Sequence, residues 1–193
     1  MKLWKYKDYD EYVKVQTEGN VKKLKNVWAC QPVFDRIAQV KPDAKNIICH
    51  GTRNGAELKM FRNAIPSLHD IVGTEISHTA TQFPNTIEHD FHEQKESFIN
   101  NFDIVYSNSF DHSYDPHKAL KTWTEQLNDD GILCIELASG SENVSREMDP
   151  LEIYSVELTQ ILKDQFSFSV VEFNQVKRGG RLPSFLGIFR RDK

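Results

Sequence analysis

Apolar positions in the first forty residues recur at spacings of three and four: Tyr9, Tyr12, Val13, Leu24, Val27, Trp28, Val33, Phe34, Ile37 and Ala38. That period belongs to helices with one buried face. Gly19-Asn20 predicts a break that divides the stretch into two or more helices, and Pro42 marks its end. Beyond it the texture changes to short apolar runs, each suited to a buried strand: Asn46 to His50, Asp70 to Glu75, Phe102 to Ser107 and Ile132 to Leu137. Helical patterns separate them, over about 55–63 (Ala56, Leu58, Phe61, Ala64) and from Pro116 to Leu127, where Asn128-Asp129-Asp130-Gly131 makes a turn. Asn85 to His89 is a short extended stretch. After a polar loop over 139–150, Leu151 to Lys163 reads as a further helix. Phe166 to Gln175 and Leu182 to Arg190 are two strand-like runs joined through Gly179-Gly180, a reversing turn. Strands alternating with helices predict an α/β architecture, a mostly parallel sheet ending in an antiparallel hairpin, with helices at the N-terminus.

Composition narrows this picture. The chain has 193 residues, 39% of them hydrophobic, and no low-complexity linker, which predicts a single domain. Within it the expected parts are an N-terminal helical region (1–42), a ligand-binding core (43–138), and a loop, helix and hairpin (139–193). With 24 Lys+Arg against 28 Asp+Glu the net charge is −4, which argues against a dedicated nucleic-acid binder. No apolar run approaches the ~20 residues of a membrane span, and Met1 to Asp8 carries no apolar secretory segment. Cys30, Cys49 and Cys134 are odd in number and lack metal-ligand spacing, so reduced thiols and a cytoplasmic location are expected.

Four segments carry candidate chemistry. His50-Gly51-Thr52-Arg53-Asn54-Gly55 follows a strand and opens a helix. Its glycines allow a sharp turn and close approach of a ligand, and the free N–H groups of the new helix favour polar or anionic groups. The Gly-Lys-Ser/Thr ending of a P-loop is missing. Glu75 ends the second strand twenty residues after Gly55. An acid at that distance suits a ribose diol, since two carboxylate oxygens accept two O–H donors. Asp90-Phe91 pairs an acid with an aromatic, fit for an adenine edge and face, though a loop acid beside a core Phe has the same pattern. Ser107-Asn108-Ser109-Phe110-Asp111-His112 follows the third strand, at the carboxyl end where open α/β sheets bind ligands. The histidines form two clusters, His89/His92 and His112/Asp115/His117, neither with metal-site spacing, so no metal is expected.

In this order the elements resemble the class I S-adenosylmethionine-dependent methyltransferases, a Rossmann-like, doubly wound fold. The resemblance covers Asn46 to Leu137 and rests on Gly73-Thr74-Glu75-Ile76-Ser77, Phe102-Asp103-Ile104-Val105, Asp111-His112, Asp115-Pro116 and Asp130-Gly131-Ile132-Leu133. It implies that the loop from His50 through Gly51, Thr52 and Gly55 passes under the methionine part of S-adenosylmethionine. It further implies that Glu75 holds the ribose, that Ile76, Asp90 and Phe91 meet the adenine, and that Ser107 and Asn108 lie beside the sulfonium. Two positions depart from the family pattern. Cys49 stands where an acid is usual, and Arg53 replaces the middle glycine, where it either obstructs the ligand or grips its carboxylate.

The expectation is a methyltransferase acting on a small-molecule acceptor, with S-adenosylhomocysteine as product. His112 is the candidate base, and Asp111 or Asp115 either orients it or acts in its place. The alternative is a catalytically inactive relative that binds the cofactor or a partner. A third reading uses the basic clusters Lys22-Lys23-Leu24-Lys25 and Lys177 to Arg181 on an anionic partner. The loop over 139–150 borders the acceptor site by position. The aromatic N-terminus (Trp4, Tyr6, Tyr9, Tyr12) is either a lid or an outer helix packed on the sheet, with the outer helix the favoured reading. Oligomeric state leaves no mark on the sequence.

Overall fold

A computed structural model describes residues 1–177 and 182–193. Five parallel strands form the heart of one sheet: β2 (Asn46–His50), β3 (Asp70–Glu75), β4 (Thr86–Glu88), β5 (Phe102–Ser107) and β6 (Leu127–Leu137). β8 (Phe168–Val176) and β9 (Ser184–Arg191) complete it as an antiparallel hairpin, giving the order β4-β3-β2-β5-β6-β9-β8. The expected Gly179-Gly180 turn and the basic cluster around it fall outside the described residues. A separate two-stranded ribbon pairs β1 (Lys2–Leu3) with β7 (Leu151–Glu152).

Strand alternation divides the core in two. Ile47, Cys49, Ile104, Tyr106, Ile132 and Cys134 face α2 (Gln31–Val40) and α3 (Ala56–Ala64), packing on Phe34, Ile37 and Phe61. Ile48, Val105, Leu133 and Ile135 face α4 (Pro116–Gln126) and α5 (Ser155–Phe166), around Trp123, Leu158 and Leu162. Asp115 fixes the start of α4, its carboxylate accepting the Lys118 N–H at 3.0 Å. It is therefore a helix cap and does not orient His112.

Three expected boundaries move. The helix α1 (Tyr9–Lys22) runs through Gly19-Asn20 without a break. A Cβ at position 19 would stand 2.8 Å from Met148 Cε, and Asn20 Oδ1 accepts the Thr79 hydroxyl at 2.8 Å. Tertiary contacts thus outweigh the weak helix propensity of the pair. The turn at 128–131 lies inside β6. Leu127 pairs with Phe102 and Ile132 with Ile104, so the turn survives as a bulge in a longer strand. Leu151-Glu152 are strand, not helix, and α5 starts at Ser155. There Glu157 Oε2 accepts the Tyr154 N–H at 3.0 Å and closes a capping box.

Candidate functional site

The chain order of the sheet reverses between β2 and β5, and a crevice opens above their carboxyl ends. Three residues of the loop after β2 are left-handed: Gly51 (φ 71°), Arg53 (φ 47°) and Gly55 (φ 67°). A Cβ at Gly51 would meet Ser109 Oγ at 2.8 Å, so glycine is required for the close crossing of these two loops. The Gly51 and Thr52 N–H groups both donate to Thr74 O, at 2.8 and 3.0 Å. Glu75 continues this clamp. Its Oε2 accepts the Arg53 N–H and its Oε1 the Ser77 N–H, each at 3.1 Å. Burial pushes the Glu75 carboxyl up, against those two hydrogen bonds. Each oxygen keeps lone-pair capacity for a second donor.

Above the loop lies a cavity that is partly open to solvent. Its floor and walls are Gly51, Arg53, Glu75, Ile76, Asp90 and Phe91, with Ser109 and His112 at one end. Its roof is α1, whose buried residues Tyr12, Gln16, Gly19 and Asn20 form one stripe along the helix. The N-terminus is thus the lid, not an outer helix on the sheet. Tyr9 donates to Asp90 Oδ2 at 2.9 Å, and Asp90 Oδ1 accepts the His92 N–H at 2.9 Å and lies 2.6 Å from His92 Nδ1. Burial works to raise the Asp90 carboxyl, but these hydrogen bonds prevail and hold it below the usual carboxylate range.

A second cavity, about 960 Å³, adjoins the first across Lys23, Gly51, Arg53, Ser109 and His112. It is polar, lined by Thr52, Glu57, Asn108, Asp111, Glu136 and Asp149 together with Trp28 and Ser184. The Arg53 guanidinium stands 4.8 Å from the Trp28 ring centroid, a cation–π contact between the two spaces. His112 Nδ1 lies 2.9 Å from Gln16 Oε1 and 3.0 Å from Met148 O, two acceptors that place a proton on Nδ1. Its Nε2 lies 4.0 Å from Asp111 and 3.8 Å from Asp149. The trio Asp111, His112 and Asp149 brings possible ligand atoms within 4.8 Å of one another, where the sequence had grouped His112 with Asp115 and His117. Asp149 is engaged by Arg146, whose Nε donates at 2.6 Å, and His117 Nδ1 contacts Gln165.

No protein-family model and no curated protein sequence matches this chain. Solved structures do. The Burkholderia thailandensis 1,6-didemethyltoxoflavin-N1-methyltransferase, with its bound substrate and S-adenosylhomocysteine, superposes with a TM-score of 0.75 at 14% identity, covering 98% of this chain and 93% of that one. The N-methyltransferase NodS of Bradyrhizobium japonicum, with S-adenosylhomocysteine, gives 0.70 at 13% identity over 92% and 99%. A putative methyltransferase of Haloferax volcanii, in complex with the Trm112 activator, gives 0.71 at 14% over 98% and 100%. The chain has the class I methyltransferase fold.

Within the class I methyltransferase fold the expected site residues divide. Gly51, Arg53, Glu75, Ile76, Asp90, Phe91 and His112 border the first cavity, and Thr52, Asn108 and Asp111 the second. Gly55 sits behind them as the left-handed N-cap of α3. Ser107 shapes the following turn, its Oγ donating to His50 O at 3.1 Å and accepting the Ser109 N–H at 3.0 Å. His50 is a correction. Strand alternation turns its ring away from the crevice, onto Trp123 (centroids 5.1 Å apart, planes 9° apart), with Nδ1 at Thr74 Oγ1 and Nε2 at Gln126 Oε1. Burial pushes the His50 imidazole down to about 3, so it is a neutral core residue. Cys49 faces the opposite core and offers the crevice nothing in place of the usual acid. The stripe on α1, Met148, Glu57 and Glu136 were missed. Only the α1 stripe left a signal, a small and polar face on a helix otherwise rich in charge.

Proposed function

We propose that the protein is an S-adenosylmethionine-dependent methyltransferase acting on a small-molecule acceptor. The observation that carries this reading is Glu75. Its carboxylate is fixed by two backbone N–H groups at the switch point of the sheet and borders the cavity roofed by α1.

The residues fit the cofactor. Glu75 would accept from the ribose hydroxyls. Ile76 and Phe91 offer apolar contact for the adenine, and Asp90, held ionised, offers an acceptor at its edge. Gly51, Thr52 and the Arg53 guanidinium would hold the methionine part, Arg53 through the carboxylate. Several structures of the same fold contain S-adenosylhomocysteine, which supports this assignment. The cofactor supplies a methyl group on a sulfonium, open to in-line displacement.

The chain's own contribution is positioning and exclusion of water. The α1 roof covers the first cavity, and Arg53, Ser109 and His112 stand where the two cavities meet. His112, with Nδ1 committed to Gln16 and Met148, has its Nε2 on the side of Asp111 and Asp149, suited to receiving an acceptor proton. A small-molecule acceptor is supported by the polar second cavity that adjoins the first. Isothermal titration with S-adenosylmethionine and S-adenosylhomocysteine tests the proposal. Binding of both is expected, and absence of heat and of a thermal shift with either overturns it.

A further inference from the structure

The second cavity contains a feature that cofactor binding does not use. Glu57, in the first turn of α3, is 94% withdrawn from solvent (6% exposed) and lines this cavity, but not the first. Its Oε1 accepts a long 3.4 Å bond from Asn108 Nδ2, and its Oε2 has no hydrogen-bond partner among the described residues. The hydroxyl of Ser184, 1% exposed, lines the same space and is likewise without a partner among them. Buried polar atoms without partners are rare and costly, and a carboxylate oxygen is the costliest of them. Two such atoms lining one cavity mark a place completed by a ligand.

The sign of that ligand follows from the charges. Five carboxyl groups line the cavity against three basic side chains, and one of these, Arg146, is already paired with Asp149. Glu136, 4% exposed on β6, stands on the same wall as Glu57. An ammonium supplies what these groups lack: a positive charge and several N–H donors, for a carboxylate and a hydroxyl oxygen.

Resting on the methyltransferase reading, we propose that the methyl acceptor is an amine whose ammonium group is bound by Glu57, with Ser184 as a neighbouring acceptor. Burial pushes the Glu57 carboxyl up to about 7, which agrees with a group that awaits a cation. The alternative source of an ammonium is the methionine end of the cofactor. One placement favours the acceptor instead: Glu57's companions Glu136 and Ser184 come from β6 and β9, beyond the switch point.

The test begins with S-adenosylhomocysteine titrated into the wild-type protein, and failure at this step overturns the methyltransferase reading itself. The loaded protein is then titrated with matched probes, n-butylamine against n-butanol and phenethylamine against 2-phenylethanol. The amines are expected to bind at least tenfold tighter than the alcohols. In Glu57→Gln the preference should vanish while S-adenosylhomocysteine affinity stays within twofold. Equal binding of amines and alcohols to the wild type, or binding of neither, overturns the proposal without recourse to the variant. A Glu57→Gln protein that keeps the amine preference but loses tenfold in S-adenosylhomocysteine affinity also overturns it, and assigns the carboxylate to the cofactor.

Discussion

Glu75 and Arg53 show how one loop combines structural and chemical roles. The Arg53 backbone is left-handed, a conformation that costs a non-glycine residue on the order of 1 kcal/mol, and its N–H is tied to Glu75. Truncating Glu75 to Ala should weaken S-adenosylhomocysteine binding by ~1–3 kcal/mol in calorimetry, the cost of ribose donors left without an acceptor. Unchanged affinity would remove the ribose role. Arg53→Ala separates the two readings of its side chain. Weaker binding by ~1–2 kcal/mol is expected if the guanidinium grips a carboxylate, whereas tighter binding would identify it as an obstruction. Glu75 was legible in the sequence because its distance from a glycine loop is set by the length of a βαβ unit. Glu57 was not, because nothing in a helical acid at that position reports that its carboxylate is buried. His50 misled for a related reason: the loop motif begins at the end of a strand, and alternation decides which face such a residue serves.

Among the elements, α1 carries the largest consequence. Its inward stripe is polar, so its attachment depends on hydrogen bonds such as Tyr9 to Asp90 and Gln16 Nε2 to Met148 O at 3.0 Å. Replacing Tyr9 with Phe removes one of these at a cost of ~0.5–1.5 kcal/mol. Amide hydrogen exchange in residues 9–22 should accelerate in the variant, while the β2 and β5 amides keep their protection. Equal acceleration throughout would mean that Tyr9 supports the whole fold and not the roof. The strands β2, β3 and β5 were legible to the residue, since their apolar runs are short and bounded. The roof was not, because a helix that buries polar atoms against a cavity carries the same residues as a helix facing water. The bulge in β6 shows the converse, with a turn read correctly from Asn128 to Gly131 but absorbed into the strand.

At the scale of the whole molecule, the buried carboxyl groups tie stability to pH. Glu57 moves from an ordinary 4.5 to about 7 on folding. Between those values the folded chain holds a proton that the unfolded chain has released. This contribution is therefore fully present below pH ~4.5, falls as pH rises, and is gone above pH ~7. The difference in unfolding free energy between wild type and Glu57→Gln, both without ligand, should accordingly shift by on the order of 3 kcal/mol across that window, to the disadvantage of the wild type at higher pH. Denaturant titrations at pH 4.5, 6 and 8 measure it. A constant difference would mean that Glu57 ionises normally. The shift is the net of burial and the Glu136 charge, which raise it, against Asn108 and Arg53, which lower it.

The ribbon formed by β1 and β7 fastens the start of the chain to the segment before α5, and the Trp4 N–H extends it to Pro150 O at 2.8 Å. The Tyr6 hydroxyl adds a bond to Glu147 O. The roof helix and the loop over 139–150 are thereby latched to each other, in addition to the bonds that tie the helix to Thr79 and Asp90. The first seven residues, none of which lines either cavity, thus bear on how firmly the roof is held.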